Sequence, residues 1–207
     1  MMKKRIRTVR DWVYIGLFGA LWGAIELSFG TILHVVFPPV ANTFFTGIIL
    51  TTVGCVIVLC SRFLIPHRGG ILLVGLVTAV LKLVSPGGVK LGPIVAIVME
   101  CVFMEGALLL SSEKRAAVFM TAGVLALAWN FAHRFVMLRL LYGKRFTEVA
   151  VKMAGGGSDL FGFAEERVAV ILLSLLLIQV ACGAAAGYLA FRLGGRITRR
   201  RESRHEP

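Results

Sequence analysis

The sequence predicts an all-α integral membrane protein, a single domain (residues 1–207) built as a bundle of six transmembrane helices. Apolar residues make up 57% of the 207 residues and charged residues only 16%, whereas a soluble domain is about a quarter charged. The mean hydropathy is +0.84. The apolar residues are gathered into runs, most of which reach the roughly 20 residues that a helix needs to cross a bilayer. A soluble enzyme, a disordered chain and a disulfide scaffold are thereby excluded.

Six apolar runs predict the six spans. They are residues 12–36, 42–65, 70–84, 91–110, 116–141 and 168–193. Pro38 and Pro39 close the first run and Pro66 closes the second, because proline cannot continue a helix. The third run is about 22 Å long at 1.5 Å per residue. It is therefore either a short, buried span or half of a re-entrant pair with the fourth, and both alternatives leave the termini on one side.

The distribution of Lys and Arg predicts that both termini are cytoplasmic. The tails, residues 1–11 and 194–207, are basic, as are the loops after the second and fourth spans, while the loop 34–42 carries no Lys or Arg. Basic residues concentrate on the cytoplasmic side of membrane proteins. The long outer loop 142–167 mixes both signs and contains three successive glycines, which indicates either a hinged plug or an ordinary surface loop.

The net charge of +12 would favour nucleic acid as the partner of a soluble protein. Here the basic residues lie in tails and short loops, and phosphate binding needs an organised basic surface. The expected surroundings are therefore a lipid bilayer, and no nucleic acid is expected.

Ionisable residues within the spans are the candidate site residues, because a charge at membrane depth is costly unless it is paired or hydrated. Glu26 and Glu100 lie near the midplane of spans one and four. Glu105 follows Glu100 by about 140° around the helix, so these two carboxylates are expected to face different neighbours.

Span five carries a polar face formed by Asn130, His133 and Arg134, which are spaced i, i+3 and i+4. Together with Glu26 and Glu100, these residues predict one polar cavity that binds a substrate. The alternative is an internal ion pair of Arg134 with Glu100 or Glu26 that only locks the bundle.

Lys82 closes span three and is a further candidate for the substrate site. A lysine at the end of a span more often anchors the helix at lipid headgroups, and this alternative is favoured for Lys82.

The chain contains no catalytic motif. It lacks His-Glu-x-x-His, Gly-x-Ser-x-Gly and the Gly-x-x-x-x-Gly-Lys phosphate loop. The four cysteines lie inside apolar runs without metal-ligand spacing. We therefore expect no enzymatic activity, no cofactor, no bound metal and no ATP hydrolysis by this chain alone.

Span one carries a stripe of small residues, Gly16, Ala20 and Ala24, at every fourth position. Small residues at this spacing let another helix approach closely in lipid. The stripe predicts a docking face for a partner helix, and packing within the chain is the alternative. For the similar segment Gly183 to Gly187 in span six, internal packing is the favoured interpretation.

The chain resembles the substrate-binding S-components of energy-coupling factor (ECF) transporters over nearly its whole length. The sharpest local match is Ala20-Leu-Trp-Gly-Ala24, which is similar to the Ala-x-x-x-Ala motif of that family. The resemblance implies a six-helix fold and a location in the cytoplasmic membrane of a bacterium or archaeon. It also implies that Gly16, Ala20 and Ala24 dock on a transmembrane coupling subunit that sits on two cytoplasmic ATPases.

The resemblance further implies that spans four and five and the outer loops bind a small water-soluble vitamin or precursor. Members that take cobalt or nickel begin Met-His, whereas this chain begins Met-Met-Lys-Lys, which disfavours a metal. Two carboxylates at mid-depth weakly favour thiamine or its pyrimidine precursor, and cobalamin or another vitamin stays open. A membrane assembly or scaffold protein, or a secondary carrier for a small solute, is the alternative function.

Overall fold

All elements of the computed structural model are α-helices and the turns between them. The structure describes residues 8–36, 39–84, 91–110, 115–142 and 168–203. The helices are α1 (Val9–Val36), α2 (Pro39–Leu64), α3 (Gly70–Leu83), α4 (Leu91–Leu109), α5 (Ala116–Tyr142) and α6 (Val168–Glu202). Each predicted span overlaps one helix, with bounds that agree to within three residues except at the end of the sixth span, and the described ranges contain no strand. Most of the predicted outer loop 142–167, and both extreme tails, lie outside the described residues.

Five of the helices are long and apolar enough to cross a membrane, which indicates a multi-pass membrane protein. Helix α3 is the exception, with 14 residues. An apolar segment in hydrocarbon must satisfy its backbone N–H and C=O groups within itself, and a helix does so.

Helix α6 differs from the prediction at its C-terminal end. The sixth span was expected to end at residue 193, yet the helix continues to Glu202. Gly194 and Gly195 disfavour a helix at this point, whereas the arginines that follow are good helix formers, and the packing of Gly194 on Phe63 holds the helix across the glycines.

Helices α1 and α2, which follow one another in the chain, run in opposite directions. Trp22 of α1 packs against Gly54 of α2, and Gly30 lies beside Leu50, so α1 and α2 are antiparallel. Cys60 of α2 donates its thiol hydrogen to the carbonyl of Ala190 in α6.

One turn further along both helices, Phe63 packs on Gly194, so α2 and α6 are parallel. The start of α1 and the end of α6 therefore lie at one end of the bundle, which we call the terminal end.

Helix α3 runs parallel to α1 along a seam of glycines. A Cβ atom at Gly19 would lie 2.6 Å from Cβ of Val77, and one at Gly23 would lie 2.7 Å from Cδ1 of Leu81. Thr78 strengthens the seam by donating a hydrogen bond to the Gly19 carbonyl at 3.0 Å. Small residues thus bring α3 close to α1.

Helices α5 and α6 meet through a second glycine seam. A Cβ atom at Gly183 would lie 2.6 Å from the carbonyl oxygen of Gly123, and a Cβ atom at Gly187 would collide with the Phe119 carbonyl. The prediction that the Gly183–Gly187 segment serves internal packing is confirmed.

Glu105 binds the start of α3 at the terminal end. Its two carboxylate oxygens accept the backbone N–H groups of Gly69 (2.9 Å) and Ile71 (3.0 Å). Gly69 has φ of 79°, a left-handed conformation that glycine adopts without a Cβ penalty. Arg62 Nη1 lies 3.8 Å from Glu105 Oε1 and donates to the His67 carbonyl, so this carboxylate joins α4 to the end of α2 and to the start of α3.

A buried polar site between α2, α4 and α5

Glu100 lies at the centre of a hydrogen-bonded triad that joins three helices. It is midway along α4 and 3% exposed. Its Oε1 accepts the hydroxyl of Thr51 from α2 at 3.0 Å and Nδ2 of Asn130 from α5 at 3.1 Å. Asn130 Nδ2 also donates to Thr51 Oγ1 at 2.8 Å. The triad uses both amide hydrogens of Asn130 and the hydroxyl hydrogen of Thr51.

Three polar atoms beside the triad have no hydrogen-bond partner among the residues that the structure describes. They are Asn130 Oδ1, His133 Nε2 and Trp129 Nε1, all buried. A buried polar atom without a partner costs about 1–3 kcal/mol, and native structures leave few of them. These atoms lie within two turns of α5, with Asn130 Oδ1 beside Gly47 of α2 and the two ring nitrogens in the side chains that pack near Phe103 of α4.

Aromatic rings stand next to these polar atoms. The Trp129 ring centroid is 5.5 Å from that of Phe103 on α4 and 5.9 Å from that of His133. Rings at these distances interact through their faces and edges. The site therefore combines a carboxylate, an amide, an imidazole and two apolar rings.

Arg134 faces α2 rather than α4. A Cβ atom at Gly47 would collide with Nη2 of Arg134 and lie 3.1 Å from Asn130 Oδ1. The missing side chain at position 47 is thus what lets the polar face of α5 approach the α2 backbone. The predicted i, i+3, i+4 face is present, although its members contact different helices.

Glu26 and Lys82 form a second polar pair, between α1 and α3. Lys82 Nζ lies 3.1 Å from Glu26 Oε2 and donates to the Glu26 backbone carbonyl at 3.2 Å. The favoured interpretation of Lys82 as a headgroup anchor is wrong, because its ammonium group turns inward to this carboxylate. The cation opposite Glu26 is Lys82, and not Arg134 as the locking alternative expected.

The Glu26–Lys82 pair lies close to the stretch of α2 that carries Thr51, since a Cβ atom at Gly30 would lie 3.8 Å from both Lys82 Nζ and Leu50 Cδ1. The structure thus places Glu100, Asn130, His133 and Arg134 on adjoining surfaces of α4 and α5, with Glu26 and Lys82 on α1 and α3 nearby. Glu105 is part of the cluster at the terminal end, and the prediction that it faces other neighbours than Glu100 is confirmed.

Sequence reasoning missed Thr51 and Gln179. A threonine in an apolar helix can donate its hydroxyl to the carbonyl four residues earlier, as Thr52 does to Ile48. The sequence therefore does not indicate that Thr51 bonds a residue on another helix. Gln179 of α6 is 2% exposed, and its Oε1 has no partner in the described part of the chain. Gln179 is an amide side chain inside the apolar run 168–193. The rule that selected Asn130, a polar residue within a span, would have selected Gln179 as well.

The small-residue stripe lies on the outer surface of α1. Ala20 and Ala24 are exposed, and a Cβ atom at Gly16 would meet nothing within 4 Å. The inward seam of α1 uses Gly19 and Gly23 instead. The stripe is therefore not occupied by the described helices of its own chain.

Within the described residues, no three His, Cys, Asp or Glu side chains converge as a metal site. A scan of protein-family models, a search of curated proteins and a search of solved structures each find no match to this chain. The geometry of the polar site is therefore the basis for assigning a function.

Proposed function

We propose that this chain is the substrate-binding membrane subunit of an ECF-type uptake transporter. On this proposal it crosses the cytoplasmic membrane of a bacterium or archaeon six times, with both termini in the cytoplasm. It binds a small water-soluble vitamin or precursor and passes it to a module of one membrane coupling subunit and two ATPases. The proposal starts from the resemblance of the chain to that family, whose sharpest local match is Ala20 to Ala24.

The observation that carries the proposal is the unused hydrogen-bonding capacity beside Glu100. A clasp that only locks helices would satisfy its own polar groups, as Glu105 does with Gly69 and Ile71. Around Glu100, in contrast, Asn130 Oδ1 and two ring nitrogens stay unsatisfied. Burying polar atoms without partners costs free energy, and a bound solute that forms hydrogen bonds with these atoms removes that cost.

The chemistry of the site favours a flat, hydrogen-bonding ligand with positive character. Glu100 supplies an acceptor, while Trp129 and Phe103 supply ring surfaces next to it. A cation over an aromatic face gains about 0.5–2 kcal/mol. Thiamine or its pyrimidine precursor fits these features and is the first ligand to test.

A membrane scaffold is the second candidate, and the Glu26–Lys82 and Glu105–Arg62 pairs favour it. Buried ion pairs of this kind join helices without any ligand. The two candidates differ in whether any solute stabilises the protein.

The test is a thermal-unfolding screen of the purified protein in detergent against a panel of vitamins and their precursors. A ligand at 100 times its Kd adds about 2.7 kcal/mol to the stability, which raises Tm by several degrees. One compound is expected to do so, and to be taken up by cells that co-express the coupling subunit and the ATPases. A panel without any stabilising compound contradicts the proposal and favours the scaffold.

A further inference from the structure

Helix α6 is much longer than a bilayer is thick. Its 35 residues extend about 52 Å, whereas the hydrocarbon core measures about 30 Å. The apolar stretch from Leu172 to Phe191 spans about 30 Å. Arg192 therefore lies where the helix leaves the hydrocarbon, and the following turns lie at headgroup depth.

Four arginines in these turns share one side of the helix. Arg192, Arg196, Arg199 and Arg200 fall within about 100° of its circumference at 100° per residue, and all four are exposed. We call them the arginine face. None of them takes part in an ion pair of the described residues.

The arginine face continues the side of α6 that would contact acyl chains. The exposed apolar residues within about 90° of the centre of the arginine face are Val170, Leu177, Ile178, Leu189 and Leu193, and Ile197 lies just beyond them. Leu193 and Ile197 alternate with the arginines. The opposite side is occupied at this level, because Gly194 packs on Phe63.

Tyr188 marks the same depth. Its ring is 46% exposed, and the Arg192 guanidinium carbon lies 5.8 Å from its centroid. Tyrosine is enriched where hydrocarbon meets headgroups. An aromatic residue followed by arginines is thus the order expected along a helix that passes through an interface.

We propose that the arginine face binds the phosphate groups of anionic phospholipids in the leaflet around the terminal end of the bundle. Guanidinium groups match phosphate oxygens in charge and in bidentate geometry. The exposed Leu193 and Ile197 favour lipid over an acidic soluble protein, because they would contact acyl chains between the arginines. The proposal is independent of which solute the chain transports.

The test measures lipid selectivity with spin-labelled lipids in vesicles of phosphatidylcholine and phosphatidylglycerol. The wild-type protein is expected to prefer phosphatidylglycerol at its boundary, and 0.5 M salt, about three times the physiological level, should weaken this preference. One arginine near an anionic surface is worth about a fivefold change. In the variant with Arg192, Arg196, Arg199 and Arg200 each changed to Gln, the preference for phosphatidylglycerol should therefore fall at least fivefold below that of the wild type.

Arg139→Gln is the matched control, since Arg139 is exposed on α5 away from the arginine face. The lipid selectivity of this variant should equal that of the wild type. If the variant with four substitutions does not fold, the double variant Arg196→Gln with Arg200→Gln replaces it. Unchanged selectivity in the folded variant, or an equal loss in Arg139→Gln, overturns the proposal. Loss of binding to an acidic protein with lipid selectivity intact overturns it as well.

Discussion

Asn130 donates to Glu100 across the α4–α5 interface at 3.1 Å, and the same nitrogen donates to Thr51 at 2.8 Å. The orientation of the amide follows from this arrangement, because turning it would place Oδ1 against a carboxylate oxygen. Oδ1 is therefore directed away from the triad, where it lies beside the α2 backbone at Gly47. The triad that joins the helices thus leaves Asn130 Oδ1 without a partner among the described residues.

Glu100→Gln should weaken ligand binding by about 1–3 kcal/mol, because one hydrogen-bond acceptor of the site is replaced by an amide NH₂ group. The measurement is a titration with the compound found in the thermal screen. Unchanged affinity with reduced stability would instead support a purely structural triad.

Glu105→Gln is the counterpart of that variant at the terminal end. An amide can replace only one of the two oxygens that accept Gly69 and Ile71, so the free energy of unfolding should fall by about 1–3 kcal/mol. Unfolding in detergent measures it. Ligand affinity should stay at the wild-type value, and a specific loss of affinity would place Glu105 in the site.

Glu26 and Lys82 should show energetic coupling. The variants Glu26→Gln, Lys82→Met and the double change form a cycle, and residues in contact couple by about 0.5–3 kcal/mol. The readout is the free energy of unfolding. A coupling of zero would mean that Lys82 acts through the Glu26 backbone carbonyl alone.

Gly187→Ala should destabilise the bundle by about 1–3 kcal/mol, because the added methyl group meets the Phe119 carbonyl. Gly195→Ala in the same helix is the control, since a Cβ atom there meets nothing within 4 Å. It should be neutral or stabilise the helix by up to about 1 kcal/mol. Equal effects on thermal unfolding would contradict the tight α5–α6 seam.

Ala20→Trp and Ala24→Trp should leave folding and ligand binding intact, because both positions are exposed. Transport and capture of the coupling subunit should be lost if the stripe docks on it. Val80→Trp, at a position 60% exposed on α3, is the control and should retain transport. Unfolding of the Ala20 and Ala24 variants would show that the stripe packs internally.

Part of the candidate site could be predicted from spacing along single helices. The face of Asn130, His133 and Arg134 and the separation of Glu100 from Glu105 follow from the 100° turn per residue. Partners on other helices could not be derived in this way. The pairing of Lys82 with Glu26, and the contribution of Thr51, depend on the rotation and depth of one helix relative to another.

The sequence by itself determined that apolar runs form helices of membrane length, because the cost of an unpaired backbone in lipid depends only on the local run. It also determined which residues carry charge into those runs. The tertiary structure decided which of these charges meet, since close approach depends on glycines such as Gly19, Gly47 and Gly123 on separate helices. It also decided that three polar atoms beside Glu100 have no partner among the described residues, whereas both carboxylate oxygens of Glu105 accept backbone N–H groups.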